Sequence, residues 1–140
     1  MTDINLNHIA IVVDDMESAL RFWRERLGLP QAGAVETVPD EAVDIAILRL
    51  GDAHIELIQP TTADSGVAKF LAKHGPGLHH LCLEVPDLDA KLAELQKSGC
   101  ELINESPRER DGRRYAFIHP DSAGGVLLEL YEKLPAEPGG

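Results

Sequence analysis

The strongest constraint on this chain is that its sequence is written twice. The segment LNHIAIVVDDMESAL from Leu6 lies over LHHLCLEVPDLDAKL from Leu78 at an offset of 72 residues (78 minus 6). Leu6 matches Leu78, His8 matches His80, Val13 matches Val85, Asp15 matches Asp87 and Leu20 matches Leu92. Such a repeat fixes architecture before any single element is assigned, because each copy has to fold as one supersecondary unit. Each copy begins with an apolar strand. Asp14 or Asp15 in the first copy, and Asp87 after Pro86 in the second, then stand where a helix N-cap belongs. Met16, Leu20, Trp23 and Leu27 recur at the spacing of one helical face, as do Leu88, Leu92 and Leu95. Gly28 and Gly99, the residue type that takes a left-handed backbone most cheaply, are expected to end the two helices.

The parallel continues beyond the helices. The first copy gives a weak strand around Ala34 to Val38, then AVDIAILRL, a turn at Gly51-Asp52, and AHIELIQP. The second gives Glu101 to Asn104, a basic loop, RRYAFIHP, a turn through Asp121 to Gly125, and VLLELYEK. Apolar and β-branched runs bounded by Gly and Asp read as hairpins. The expected fold class is therefore α+β, with two tandem βαβββ modules. Module one covers about 4–60, a connector with the helical pattern SGVAKFLAKHG about 61–76, and module two about 77–133, all within a single domain 1–140. Leu134 to Gly140, with two prolines and two glycines, reads as a frayed tail.

Composition narrows the classes of function. A formal net charge of -11 disfavours nucleic acid and anionic membrane as partners, and no apolar run is long enough to span a bilayer. The start MTDINLNHIAIVV lacks a basic region and a small-residue cleavage site, so the expected location is the cytoplasm. Cys82 and Cys100 fit reduced core thiols, and two cysteines are too few for an all-cysteine metal site. An anionic small ligand would need a local basic patch, and the dense one is Arg108, Arg110, Arg113 and Arg114.

The repeat also tests candidate ligands. His8 and Glu56 are 48 positions apart (56 minus 8), and His80 and Glu129 are 49 apart (129 minus 80). The histidines hold the same point in the first strands and the glutamates the same point in the last. Halves paired about a pseudo-twofold axis would bring all four side chains to one place, a metal site by symmetry. Imidazole and carboxylate donors suit borderline divalent ions such as Co, Ni, Zn, Mn or Fe, and two histidines disfavour Ca and Mg. Glu56 in HIELIQP and Glu129 in VLLELYE also lie inside apolar runs, where an unpartnered charge would be costly. Period-two alternation turns His79 away from His80, giving His79 a structural part or one behind the ligands. His54 shares a strand face with Glu56 and is assigned to the rim. His119 and His74 are assigned to the surface or to caps, and Cys82 to core packing.

These residues resemble the vicinal-oxygen-chelate, or glyoxalase-like, superfamily, and within it the methylmalonyl-CoA epimerases. The resemblance rests on HIELIQP, SGVAKFLAKHGPGLHHLCLEV, the ESPR of INESPR, AFIHPDS and GVLLEL in that order, and it spans nearly the whole chain. It implies an incomplete barrel around the metal, a homodimer, and an isomerase that interconverts (R)- and (S)-methylmalonyl-CoA by proton transfer at the α-carbon. One divalent ion per chain is implied, with cobalt as the first choice and Mn, Ni or Zn as alternatives. Inversion requires two opposed bases. Glu129 is the first candidate, and Asp44, at a place where some epimerases carry glutamate, is the second. The four arginines become candidate contacts to the CoA phosphates.

Rival readings share parts of this pattern. A glyoxalase I-type lactoylglutathione lyase would use the same four ligands on a glutathione hemithioacetal. An extradiol dioxygenase needs an open position that a fourth protein ligand would fill. A metal-free binding module should have lost the ligands. A structural metal would announce itself by loss of folding on chelation.

Overall fold

Why each repeat copy folds as it does is visible in a computed structural model of the chain, which describes residues 3–133. The chain divides into two compact units. One is His8–His79, and the other runs from His80 onward and takes in the segment before His8.

In the first unit the order is β1 (Asn5–Val12), α1 (Met16–Leu20), β2 (Glu36–Val38), β3 (Val43–Leu50), β4 (Ala53–Pro60) and α2 (Gly66–His74). Strand β1 pairs parallel with β4, β4 antiparallel with β3, and β3 antiparallel with β2. In the second unit β5 (Gly77–Val85), α3 (Leu88–Lys97), β6 (Arg108–Arg110), β7 (Arg113–Ile118) and β8 (Leu128–Glu132) repeat this plan. There β5 pairs parallel with β8, β8 antiparallel with β7, and β7 antiparallel with β6. Each unit is thus a βαβββ module whose sheet places its first and last strands side by side. The fold class is α+β, as the repeat required.

The local reasons are also duplicated. Asp15 accepts a hydrogen bond from the Ser18 amide at 3.1 Å and one from the Ser18 hydroxyl at 2.6 Å. Asp87 accepts from the Ala90 amide at 3.0 Å. Both aspartates therefore cap their helices, and the Ser18 hydroxyl and amide hold the Asp15 carboxyl below its ordinary pKa. A second device recurs that the sequence did not disclose. The first helical amide of α1, on Met16, donates to Gln59 Oε1 at 2.7 Å, and that of α3, on Leu88, donates to Glu132 Oε1 at 3.3 Å. Gln59 and Glu132 each lie three residues beyond the glutamate singled out above, so the last strand of each module pins the start of its helix.

The two cores match position by position. Val13, Met16, Leu20, Ala46, Leu48, Ile55 and Leu57 form one, and Val85, Leu88, Leu92, Ala116, Ile118 and Leu130 the other. Fully burying a side chain such as Leu57 or Leu88, each 0% exposed, contributes about 1.5–3 kcal/mol. These residues occupy one side of each sheet, and on the other side of the first a smaller cluster of Ala10, Val43 and Ile58 packs with Val67 of α2.

Three expectations change. The helix beginning at Met16 does not stay α-helical: Arg21–Arg26 is π-helical, with the Leu27 amide bonded to the Phe22 carbonyl at 2.8 Å. Bonds from i to i+5 abandon the 3.6-residue period. Leu27 consequently falls off the apolar face and is 55% exposed, whereas Met16 and Leu20 stay buried. The basic loop is in fact strand β6, and the weak strand expected at Glu101 to Asn104 is reduced to a single bridge between Leu102 and Ile118. Asp111 (φ 51°) and Gly112 (φ 77°) form the tight turn from β6 into β7. Positive φ at both central positions is what a two-residue hairpin requires, and Asp-Gly is a pair that supplies it. Leu134 to Gly140 lie outside the described residues.

Candidate active site

Strand register decides which side chains share the open face of each module. In the first, Ala10 and Ile47 flank Glu56, and His8 lies beside His54. His8 is 2% exposed. Its Nδ1 lies 3.4 Å from Glu56 Oε2. His54 Nε2 lies 2.9 Å from the same oxygen, and its ring stacks on that of His8 with centroids 4.9 Å apart. The rim assignment for His54 is therefore corrected: it belongs to the histidine-carboxylate cluster itself.

The second module carries the matching pair. Cys82 and Phe117 flank Glu129, and His80 Nε2 lies 3.1 Å from Glu129 Oε1. Glu129 is 3% exposed and His80 packs edge-on against Phe117 at 5.5 Å. Isolated, an ionised carboxylate in such a setting would be strongly destabilising, so each glutamate meets an imidazole. Donor atoms sharing one ion at about 2.1 Å sit roughly 3.0–3.4 Å apart. Both pairs fall in that range, and nitrogen with carboxylate oxygen is the donor set that borderline divalent ions take. The residues present fit a metal of this kind.

Asp44 does not join them. It sits three residues from Ile47 on β3, opposite Gln59, and alternation sends it out of the other face, toward the side of Ala46 and Leu48. Its Oδ1 accepts from the Thr37 hydroxyl at 2.6 Å. Register thus sets Asp44, the candidate second base opposite Glu129, on the face of β3 away from Ile47 and Glu56.

The arginine group splits by the same rule. Arg113 faces Arg110, and Tyr115 faces Arg108, across the β6–β7 ladder, on the side of Phe117 and Glu129. The Arg110 guanidinium lies over the Tyr115 ring at 4.8 Å and that of Arg113 over Tyr131 at 4.9 Å. Arg110 also donates to the Tyr115 hydroxyl at 3.1 Å and Arg113 to the Glu132 carbonyl at 3.5 Å, so ring contact and hydrogen bond together hold each guanidinium plane. Arg114 leaves from the opposite face and is clamped by Asp89 at 3.0 Å and Glu132 at 3.1 Å. The Asp89 and Glu132 carboxylates raise its pKa further. Membership in a common anion patch is corrected for Arg114.

The other histidines keep to structural parts. His79 packs edge-on against Phe70 at 4.9 Å and His74 lies against the same ring at 4.8 Å. His119 Nδ1 accepts from the Asp121 amide and caps the short helical turn Pro120–Ser122. Cys82 is buried and Cys100 half-buried, and no disulfide joins them. Among the described residues, no helix is long and apolar enough to cross a membrane.

Comparison with known proteins places this geometry in a family. The model of the glyoxalase/bleomycin resistance protein/dioxygenase superfamily matches residues 7–117. The mitochondrial methylmalonyl-CoA epimerase of Homo sapiens is 37% identical over 127 residues, which cover 89% of this chain and 72% of that protein. The crystal structure of methylmalonyl-CoA epimerase from Mycobacterium tuberculosis has a TM-score of 0.81 at 38% identity, over 93% of this chain and 88% of that one. A variant of the Streptomyces coelicolor epimerase in complex with 2-nitronate-propionyl-CoA superposes with a TM-score of 0.83 at 31% identity, over 95% and 96% of the two chains. The chain therefore belongs to the glyoxalase/bleomycin resistance protein/dioxygenase superfamily, the vicinal-oxygen-chelate enzymes, and within it to the family of the methylmalonyl-CoA epimerases, which are isomerases.

Proposed function

We propose that this protein interconverts (R)- and (S)-methylmalonyl-CoA by proton transfer at the α-carbon, with one divalent metal held by His8, Glu56, His80 and Glu129. The observation that carries the reading is the duplicated histidine-glutamate pair, one in each module, in a chain that belongs to an epimerase family. When bound, a divalent cation supplies Lewis-acid stabilisation of the negative charge that builds on the thioester oxygen as the proton leaves.

The chain's own groups do the rest. Glu129 is the general base for one face of the α-carbon. Its burial keeps competing water away, and His80 Nε2 lies 3.1 Å from its Oε1. A carboxylate has about four lone-pair positions, so it can bind an ion and accept a proton. The opposite face needs its own proton donor, a part not assigned to Asp44 because register sets it on the face of β3 away from Glu56. Cobalt is the first choice of metal, with Mn, Ni or Zn suited to the same donors. A homodimer and a cytoplasmic location belong to the same reading and rest on family resemblance and sequence.

Arg110 and Arg113 are assigned to the CoA phosphates because their guanidinium planes are seated on tyrosines on the Glu129 side of the β7–β8 ladder. Losing hydrogen bonds to a charged group costs about 1.5–3 kcal/mol. The Arg110→Ala, Arg113→Ala double variant is therefore expected to raise KM for the CoA ester by about tenfold or more, with kcat nearly unchanged. Arg114→Ala should leave KM alone. Steady-state kinetics at low salt would refute the assignment if Arg114→Ala raised KM and the double variant did not.

The function itself is tested by incubating the purified protein with one stereoisomer of methylmalonyl-CoA. A near-equal mixture of both stereoisomers is the expected product, with no turnover of a glutathione hemithioacetal. Turnover of the hemithioacetal alone would contradict the proposal and favour a lactoylglutathione lyase.

A further inference from the structure

The two modules share a histidine-glutamate pair, and His54 is a polar group at the site that only module one carries. Glu56 and Glu129 correspond at an offset of 73, and the same offset carries His54 to Leu127 (54 plus 73). Module one therefore has an imidazole where module two has an aliphatic side chain.

That imidazole meets the carboxylate that lacks the other's cover. The Glu56 side chain is 18% exposed against 3% for Glu129. A more solvated carboxylate has more rotamer freedom, and restraining it takes a bond that burial does not provide. His54 Nε2 supplies one at 2.9 Å to Glu56 Oε2. An ionised carboxylate only accepts, so the imidazole nitrogen is the donor. The His54 ring is fixed in turn by stacking on His8 at 4.9 Å, and the parallel register puts the two residues side by side on β1 and β4. A chain of contacts thus runs from His8 through His54 to Glu56, beside the direct 3.4 Å approach of His8 to Glu56.

We infer that His54 is a positioning residue that orients Glu56 for metal binding by hydrogen bonding and is not itself a metal ligand. The inference rests on the proposal that His8 and Glu56 hold a metal. Outer partners of this kind typically contribute 10- to 100-fold to metal affinity. One hydrogen bond on Oε2 leaves the carboxylate further lone pairs for an ion.

The test is competition for Co²⁺ between a chromophoric chelator and the metal-stripped full-length protein, with the visible absorption of bound Co²⁺ as a report on the donor set. His54→Ala should bind Co²⁺ about tenfold more weakly, with the absorption bands of the wild type retained. His54→Gln, whose amide also donates, should recover affinity to within about threefold of the wild type, a rescue that general damage to the strand would not permit. Wild-type affinity in His54→Ala would overturn the inference and leave the metal site standing. Bands shifted in both variants would overturn it the other way, by making His54 a ligand. A wild-type protein that takes up no Co²⁺ would defeat the metal site and the inference together.

Discussion

Glu129→Gln is expected to retain most of its metal and to lose α-proton exchange from one stereoisomer of methylmalonyl-CoA by about 10²- to 10⁴-fold, the range for removal of a general base. Glutamine keeps the shape of the side chain and an oxygen that can ligate, but it has no basicity. The substitution therefore separates holding the ion from moving the proton. A base on one face abstracts from one stereoisomer, so exchange into deuterated solvent, followed for each stereoisomer in turn, carries the information. Overall epimerisation needs both faces and does not. Asp44→Asn, on the other side of β3, is expected to exchange both stereoisomers at the wild-type rate. Should Glu129→Gln keep its metal and exchange both α-protons normally, Glu129 is not the base.

Loss of a ligand should act on the metal directly. Glu56→Ala and His80→Ala are each expected to lower metal content at least about tenfold, read as metal per chain by elemental analysis after dialysis. His79→Ala is the internal control, because His79 neighbours His80 on β5 yet packs against Phe70 on the opposite side of the strand. Full occupancy in Glu56→Ala and His80→Ala, or equal loss in His79→Ala, would refute the assignment of ligands.

The repeat made most of this legible before any coordinates. Matching Val13 to Val85 and Leu20 to Leu92 located both cores, and matching His8 to His80 located both histidine-glutamate pairs, because a duplicated module repeats its buried positions. What escaped was set by relations between strands. Asp44 and Glu56 look close to interchangeable as carboxylates in β-runs, and only the pairing of Ile47 with Glu56 shows that they leave opposite faces. Arg114 adjoins Arg113 in sequence and is turned from it by the same alternation. The sequence sets His54 on the correct face, and its 2.9 Å approach to Glu56 is local, two residues along β4, but its stacking on His8 depends on β1 and β4 being parallel and in register, a long-range fact. Strand β6 has a local signal, because Asp111-Gly112 between RER and RRYAFI is a two-residue hairpin turn. The π-helical turn at Arg21–Arg26 had no such signal, since the apolar spacing through Leu27 fits an unbroken α-helix.

The central claim is that proton transfer at the α-carbon depends on one divalent ion held by the two histidine-glutamate pairs. The most direct measurement is deuterium incorporation at the α-carbon of methylmalonyl-CoA by the metal-stripped protein, titrated back with Co²⁺ while circular dichroism follows the fold. Exchange is expected to be nearly absent without metal, to recover in proportion to added Co²⁺ and to saturate at about one ion per chain, with the fold unchanged throughout. Full exchange by stripped, folded protein would contradict the account, and so would recovery of exchange only in step with refolding.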